Sequence, residues 1–158
     1  MIYGMIKCDM CIIPQRLTTE HMKTMQRGLR NNNPLNIRHN PDRFKGEVFP
    51  SGDRSFKQFR DMDYGYRAAF RMLRTYQLKY GCEVLSDFIN RWAPDIENDT
   101  KAYIYTVCKR TGLSADSPVD TMSEVQMRRI VAAMSFVENG VEADEEQVRR
   151  GWNLNINS

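Results

Sequence analysis

Three consecutive asparagines followed by proline, Asn31-Asn32-Asn33-Pro34, constrain the early chain more than any other feature. Asparagine prefers turns and helix caps, and the residue before a proline is pushed to extended geometry. These three asparagines are therefore excluded as a helix interior. Beyond them, residues 43–48 and 54–59 read as two short strands, with Pro50-Ser51-Gly52-Asp53 as the turn of a hairpin.

From Asp63 the pattern changes. Tyr66, Ala69, Phe70, Leu73, Tyr76 and Tyr80 recur at helical spacing, with Asp63 as a candidate cap and Gly81 as the stop. Arg67, Arg71 and Arg74 fall on what reads as a solvated outer face. A second helix fits 83–92, with Leu85, Phe88, Ile89 and Trp92 on one side and Pro94 ending it. A third fits 99–111, with Tyr103, Val107 and Cys108 inward and Gly112 as its stop. A fourth fits 123–139, opened by a Ser123/Gln126 capping box, with Val125, Ile130, Met134 and Val137 as its apolar face. Residues 143–150 read as a short last helix with solvated charges. The predicted class is α+β, mainly helical with a small β-hairpin lobe near the N-terminus.

A chain of 158 residues with 41% hydrophobic and 27% charged residues suits one globular domain. It excludes a disordered tract or a coiled-coil rod. No apolar run reaches the ~20 residues a membrane helix needs. The net charge of +3 comes from 23 basic and 20 acidic residues that are interleaved, which argues against a nucleic-acid partner. It suits a wall polymer bearing carboxylates or phosphates equally well. Residues 1–13 carry Lys7 and Asp9 and do not read as a signal peptide. Residues 1–26 are expected to form an N-terminal arm, and 27–158 a single domain.

Cys8-x-x-Cys11 is half of a zinc signature, and Cys82 and Cys108 stand apart from it and from each other. With only His21 and His39 besides, no metal or cofactor is expected. A Cys–His39 pair is conceivable, but the spacing does not favour it over a loop histidine.

Carboxylates remain. Asp95-Ile96-Glu97-Asn98-Asp99-Thr100 is the densest polar cluster and follows Arg91-Trp92-Ala93-Pro94. A carboxyl group beside aromatic surface is suited to general-acid work. Glu97 is the candidate acid, with Trp92 and Tyr103 near enough in sequence to wall the site and stack on sugar faces. The alternative is that Asn98 or Asp99 caps the next helix and Glu97 complements its dipole. Glu47, in the hairpin, would face the helical lobe as the second carboxylate of a glycosidase, or be an exposed strand residue. Glu138 lies at a helix C-terminus, where the dipole disfavours a carboxylate, so it either has a role or pairs with Arg128 or Arg129. Glu20 is a weaker candidate.

The segments Arg27-Gly28-Leu29-Arg30-Asn31-Asn32-Asn33-Pro34-Leu35-Asn36-Ile37-Arg38, Phe44-Lys45-Gly46, Phe56-Lys57-Gln58-Phe59, Tyr64-Gly65-Tyr66-Arg67-Ala68-Ala69 and Leu73-x-x-Tyr76 form an ordered series. It ends in Ile89-x-Arg91-Trp92-Ala93-Pro94-x-x-Glu97-Asn98-Asp99-Thr100-x-x-Tyr103. Over roughly residues 27–140 this series resembles a phage-type structural and lytic protein family, found in phages and in prophage-like regions of Bacteroides-type bacteria. It is also distantly similar to cell-wall glucosaminidases and lytic transglycosylases. The resemblance implies a lysozyme-like fold and a muralytic, glycan-cleaving activity on peptidoglycan by general acid catalysis. The glucosaminidases carry their catalytic Glu well upstream of the Asn-Asn motif, where this chain has only Glu20. The resemblance therefore implies either that the domain has lost its chemistry and only binds wall, or that the acid has moved, with Glu97 the best replacement.

On that reading Glu97 protonates the glycosidic oxygen, and Glu47 or Asp99 supplies a second carboxylate if the reaction is hydrolysis. Asn31, Asn32, Asn33 and Asn36 would line the groove, unless they only satisfy their own turn. Tyr64, Trp92 and Tyr103 would give apolar contact. The expected partners are peptidoglycan glycan strands and other virion proteins, and the chain is expected to be a monomer. It would reside in the bacterial cytoplasm before release, or in a virion, and act on the cell wall. The rival readings are a non-catalytic virion or wall-binding protein, and a cell-wall amidase or endopeptidase.

Overall fold

The computed structural model describes residues 25–95 and 99–157. The arm expected over 1–26 falls almost wholly outside them, as do Glu97 and Asn98. Among the described residues the order is α1 (Arg27–Arg30), β1 (Glu47–Val48), β2 (Gln58–Phe59), α2 (Met62–Tyr80), α3 (Leu85–Trp92), α4 (Thr100–Thr111), α5 (Glu124–Asn139) and α6 (Glu145–Ile156). The architecture is mainly helical α+β. No helix among these residues is long and apolar enough to cross a membrane.

The β part is smaller than its sequence suggests. β1 and β2 pair antiparallel over two residues each, Glu47 opposite Phe59 and Val48 opposite Gln58. One further bridge joins Arg38 to Phe56. Side chains, more than a ladder, hold this lobe. Lys57 is fully buried, and its Nζ donates to the Asp42 carbonyl at 2.8 Å and to Glu47 Oε1 at 3.0 Å. Asn33 Oδ1 accepts from the Ile37 N–H at 2.8 Å, and its amide donates to the Lys57 carbonyl at 2.8 Å.

Several helix ends fall where local chemistry sets them. Gly81, Gly112 and Gly140 adopt left-handed φ at the ends of α2, α4 and α5. Asp99 caps α4 by accepting from the Ala102 N–H at 3.0 Å. Ser123 caps α5, but Gln126 does not complete a capping box: its Oε1 accepts from the Asp120 N–H at 2.7 Å. α2 is capped by Asp61, not Asp63, because Asp61 has the extended backbone of a cap and accepts from the Tyr64 N–H at 3.1 Å. Asp63 instead pairs with Arg150 at 2.7 Å.

The last helix keeps Glu145, Glu146 and Arg150 in solvent as expected, but it is longer than the 143–150 read from sequence and has a buried face. α6 runs to Ile156 and packs along α2, burying Val148 and Trp152. The Trp152 and Phe70 rings meet edge-on at 5.1 Å. Arg67, expected in solvent, is buried beneath α6, and its Nε donates to the Leu154 carbonyl at 3.3 Å. On α5 the apolar face is Met127, Ile130, Val131 and Met134, whereas Val125 is exposed. The main core gathers these residues with Leu73, Leu85, Phe88, Ile89 and Val107. A smaller cluster of Ile37, Phe59, Tyr64 and Ala68 sits under the hairpin, and Trp92 packs against both.

Candidate functional site

A cleft of about 280 Å³ opens between the segment after α1, the α2–α3 face and the end of α5. Its lining includes Asn36, Arg38, His39, Tyr76, Trp92 and Glu138. Glu138 is the acid of this lining. It is half-buried, one residue from the C-terminus of α5, where the helix dipole opposes a negative charge.

Three donors offset that opposition. Trp92 Nε1 donates to Glu138 Oε1 at 3.2 Å, and the Tyr103 hydroxyl donates to the same oxygen at 3.1 Å. Asn36 Nδ2 donates to Oε2 at 3.0 Å. Neither Arg128 nor Arg129 pairs with it, and no ion pair of Glu138 occurs among the described residues; Arg128 pairs with Glu124. Burial, and then the neighbouring Glu138, hold the Tyr103 phenol well above its ordinary value, so Tyr103 stays protonated and serves as a donor. All three contacts make Glu138 an acceptor.

The neighbouring residue fixes the helix end. Asn139 Nδ2 donates to the Pro34 carbonyl at 2.8 Å and to the Ser135 carbonyl at 2.9 Å, tying α5 to the Asn-rich segment. Asn36 reaches Glu138 from a left-handed backbone, φ 52°. Its Oδ1 and that of Asn139 are buried without a hydrogen-bond partner, and both face Gly28. A Cβ at Gly28 would lie 2.5 Å from Asn139 Oδ1 and 3.0 Å from Asn36 Oδ1, so only glycine fits there.

The residues singled out by sequence divide into distinct places. Asn36, Trp92 and Tyr103 converge on Glu138. Asn33 is fully buried and bonds backbone, Asn32 donates to the Phe59 carbonyl at 3.1 Å, and Asn31 donates to Asp53 at 2.9 Å. Glu47 neutralises Lys57 and accepts from the Phe44 N–H at 3.0 Å, with its side chain 6% exposed. Tyr64 lies beneath Gly46 in the small cluster, its hydroxyl taken by Arg60. Asp99 is occupied as the α4 cap. Glu97 lies outside the described residues. His39 lines the cleft, with Nε2 2.8 Å from the Asp53 carbonyl, while Cys82 and Cys108 do not line it.

Met72 and Asn40 are cleft residues the sequence did not single out, and nothing local marks them. Arg38 and Tyr76 stand out in sequence only as members of the ordered motif series, Tyr76 also by its helical spacing, and His39 only as a conceivable thiol partner. Glu138 carried one local signal, a carboxylate placed against a helix dipole. A second concavity, of about 370 Å³, lies between α4, α5 and α6; its Glu142 is exposed and paired with Arg110.

Fold and site together define a mainly helical α+β protein that presents one neutral-donor-bound carboxylate in a cleft beside an asparagine-rich loop. Over 117 residues the chain is 41% identical to Protein P5 of Pseudoalteromonas phage PM2, a match covering 72% of this chain and 71% of that protein. The chain belongs to the family of that phage protein. No family model matches it.

Proposed function

We propose that this chain is a lysozyme-like muralytic protein that cleaves the glycan strand of bacterial peptidoglycan in the Glu138 cleft. The observation that carries the reading is the Glu138 carboxylate, held by Trp92, Tyr103 and Asn36 and without an ion pair among the described residues. A carboxylate fixed by donors alone suits the accepting member of a glycosidase pair, which activates water or faces the developing positive charge on the sugar. The other member must deliver a proton, and Glu97 is the residue proposed for it. With both, the proton of Glu97 goes to the leaving glycosidic oxygen, and water adds to the anomeric carbon as Glu138 takes its proton.

The half-buried Trp92 ring offers an apolar face to a sugar, and Asn36, Arg38, His39 and Asn40 line the same cleft with polar groups. Membership of a phage protein family supports a setting in which a wall must be opened, at entry or release, with other virion proteins as neighbours.

The test is mass spectrometry of soluble products from purified sacculi. Wild type should release muropeptides with new reducing ends. Glu138→Gln and Glu97→Gln should each reduce release by about a hundredfold or more, the scale of a lost acid or base. Wild-type release by Glu138→Gln would overturn the assignment. Protein that sediments with the wall but releases nothing would leave a binding module in its place.

A further inference from the structure

Arg91 stands next to Trp92 in the last turn of α3. Its guanidinium carbon lies 3.3 Å from the centre of the Tyr80 ring and 5.1 Å from that of Tyr76. Tyr76 is 6.2 Å from both Tyr80 and Trp92, centre to centre, and Tyr76 and Trp92 both line the cleft. The exposed guanidinium is thus laid on an aromatic strip that runs out of the cleft.

Among the described residues, Arg91 makes neither a hydrogen bond nor an ion pair. The acid at helical spacing from it, Asp87, directs its carboxylate to the Glu83 and Val84 N–H groups, each at 3.0 Å. A cation in the last turn of a helix complements the dipole, but that needs no aromatic bed. A guanidinium stacked on rings keeps its edge N–H groups free for a planar, bidentate acceptor. Its side chain is already ordered, so binding such an acceptor sacrifices little further freedom.

We propose that Arg91 selects for an acidic glycan by binding a carboxylate carried on the sugar that occupies the cleft. This rests on the reading of the cleft as a glycan site. Wall glycan bears carboxylates on its lactyl groups or on the peptides attached to them, whereas a polymer of N-acetylglucosamine alone bears none. Arg91 is a specificity residue here, distinct from the groups that act on the glycosidic bond.

The experiment compares binding of three tetrasaccharides to wild type, Arg91→Gln and Arg91→Lys. The probes are the neutral N-acetylglucosamine tetramer, the alternating wall tetrasaccharide with free lactyl carboxylates, and the same sugar bearing acidic stem peptides. Wild type should bind at least one acidic probe about tenfold more tightly than the neutral one, the scale of a hydrogen-bonded charge pair. Preference for the free-lactyl probe identifies the lactyl group as the source, and preference for the peptide-bearing probe alone identifies the peptide. Arg91→Gln should erase the preference and leave neutral binding unchanged, and Arg91→Lys should recover only part of it, having no planar fork. Equal wild-type affinity for all three probes, or a preference that survives in Arg91→Gln, would overturn the inference alone. Failure of wild type to bind any probe would overturn the glycan reading of the cleft, and the inference with it.

Discussion

At Asp53, five donors meet one carboxylate. Arg27 gives two hydrogen bonds of 2.7 Å, Asn31 one of 2.9 Å, and the Ser55 and Phe56 N–H groups one each. They tie the α1 segment to the hairpin turn. The Arg27 guanidinium, foremost among them, holds the Asp53 carboxyl well below the usual carboxylate range. A folded-state pKa below the unfolded one contributes stability at neutral pH that is lost as pH falls through the folded value. Asp53→Asn should therefore cost about 1–3 kcal/mol at pH 7, the scale of lost hydrogen bonds to a charge. The gap to wild type should narrow in thermal melts as pH drops below about 4, where an unfolded aspartate protonates. Sequence marks Asp53 as a turn residue because Ser55 and Phe56 are its neighbours. It gives no sign of Arg27, 26 positions away.

Between elements, two glycines on helices set how closely the chain packs. Gly65 on α2 lies under the Asn-rich segment, and a Cβ there would stand 2.0 Å from the Asn32 carbonyl oxygen. Gly151 on α6 meets α2, with a Cβ placed 2.5 Å from that of Tyr66. In an isolated helix, glycine to alanine gains up to about 1 kcal/mol. Here a backbone oxygen would have to move, and overpacking costs typically 1–3 kcal/mol. Gly65→Ala should thus lower the urea midpoint of unfolding, against its helix propensity. An unchanged or raised midpoint would show that the segment does not sit on α2. The periodicity of α2 and the stop at Gly81 are visible in sequence because both depend on neighbours a turn apart. The asparagines are visible as a turn, but their assignment to backbone or cleft is not, since it depends on which helix lies beneath.

For the whole molecule, α6 closes the main core. Trp152 is 3% exposed and meets Phe70 edge-on. Trp152→Ala should cost about 3–5 kcal/mol, a large fraction of the 5–15 kcal/mol that holds a typical domain. Denaturant titration followed by circular dichroism would register the loss. A change below about 1 kcal/mol would mean that α6 packs loosely. Closure also bears on the cleft, because α6 braces α2, and α2 carries Tyr76 and Met72 into the cleft wall.

The amino-acid sequence by itself determined the helical class, the small hairpin, most helix ends and the family membership. Caps, stops and apolar periodicity are written within a few residues of where they act. Tertiary structure alone decided the site. Glu138 meets Asn36 across 102 positions, Trp92 across 46 and Tyr103 across 35. It also separated Asn36 from Asn31, Asn32 and Asn33, and turned Glu47 toward Lys57. A hydrogen bond between distant segments leaves no periodic trace in the chain, because its geometry exists only once the helices between them have packed.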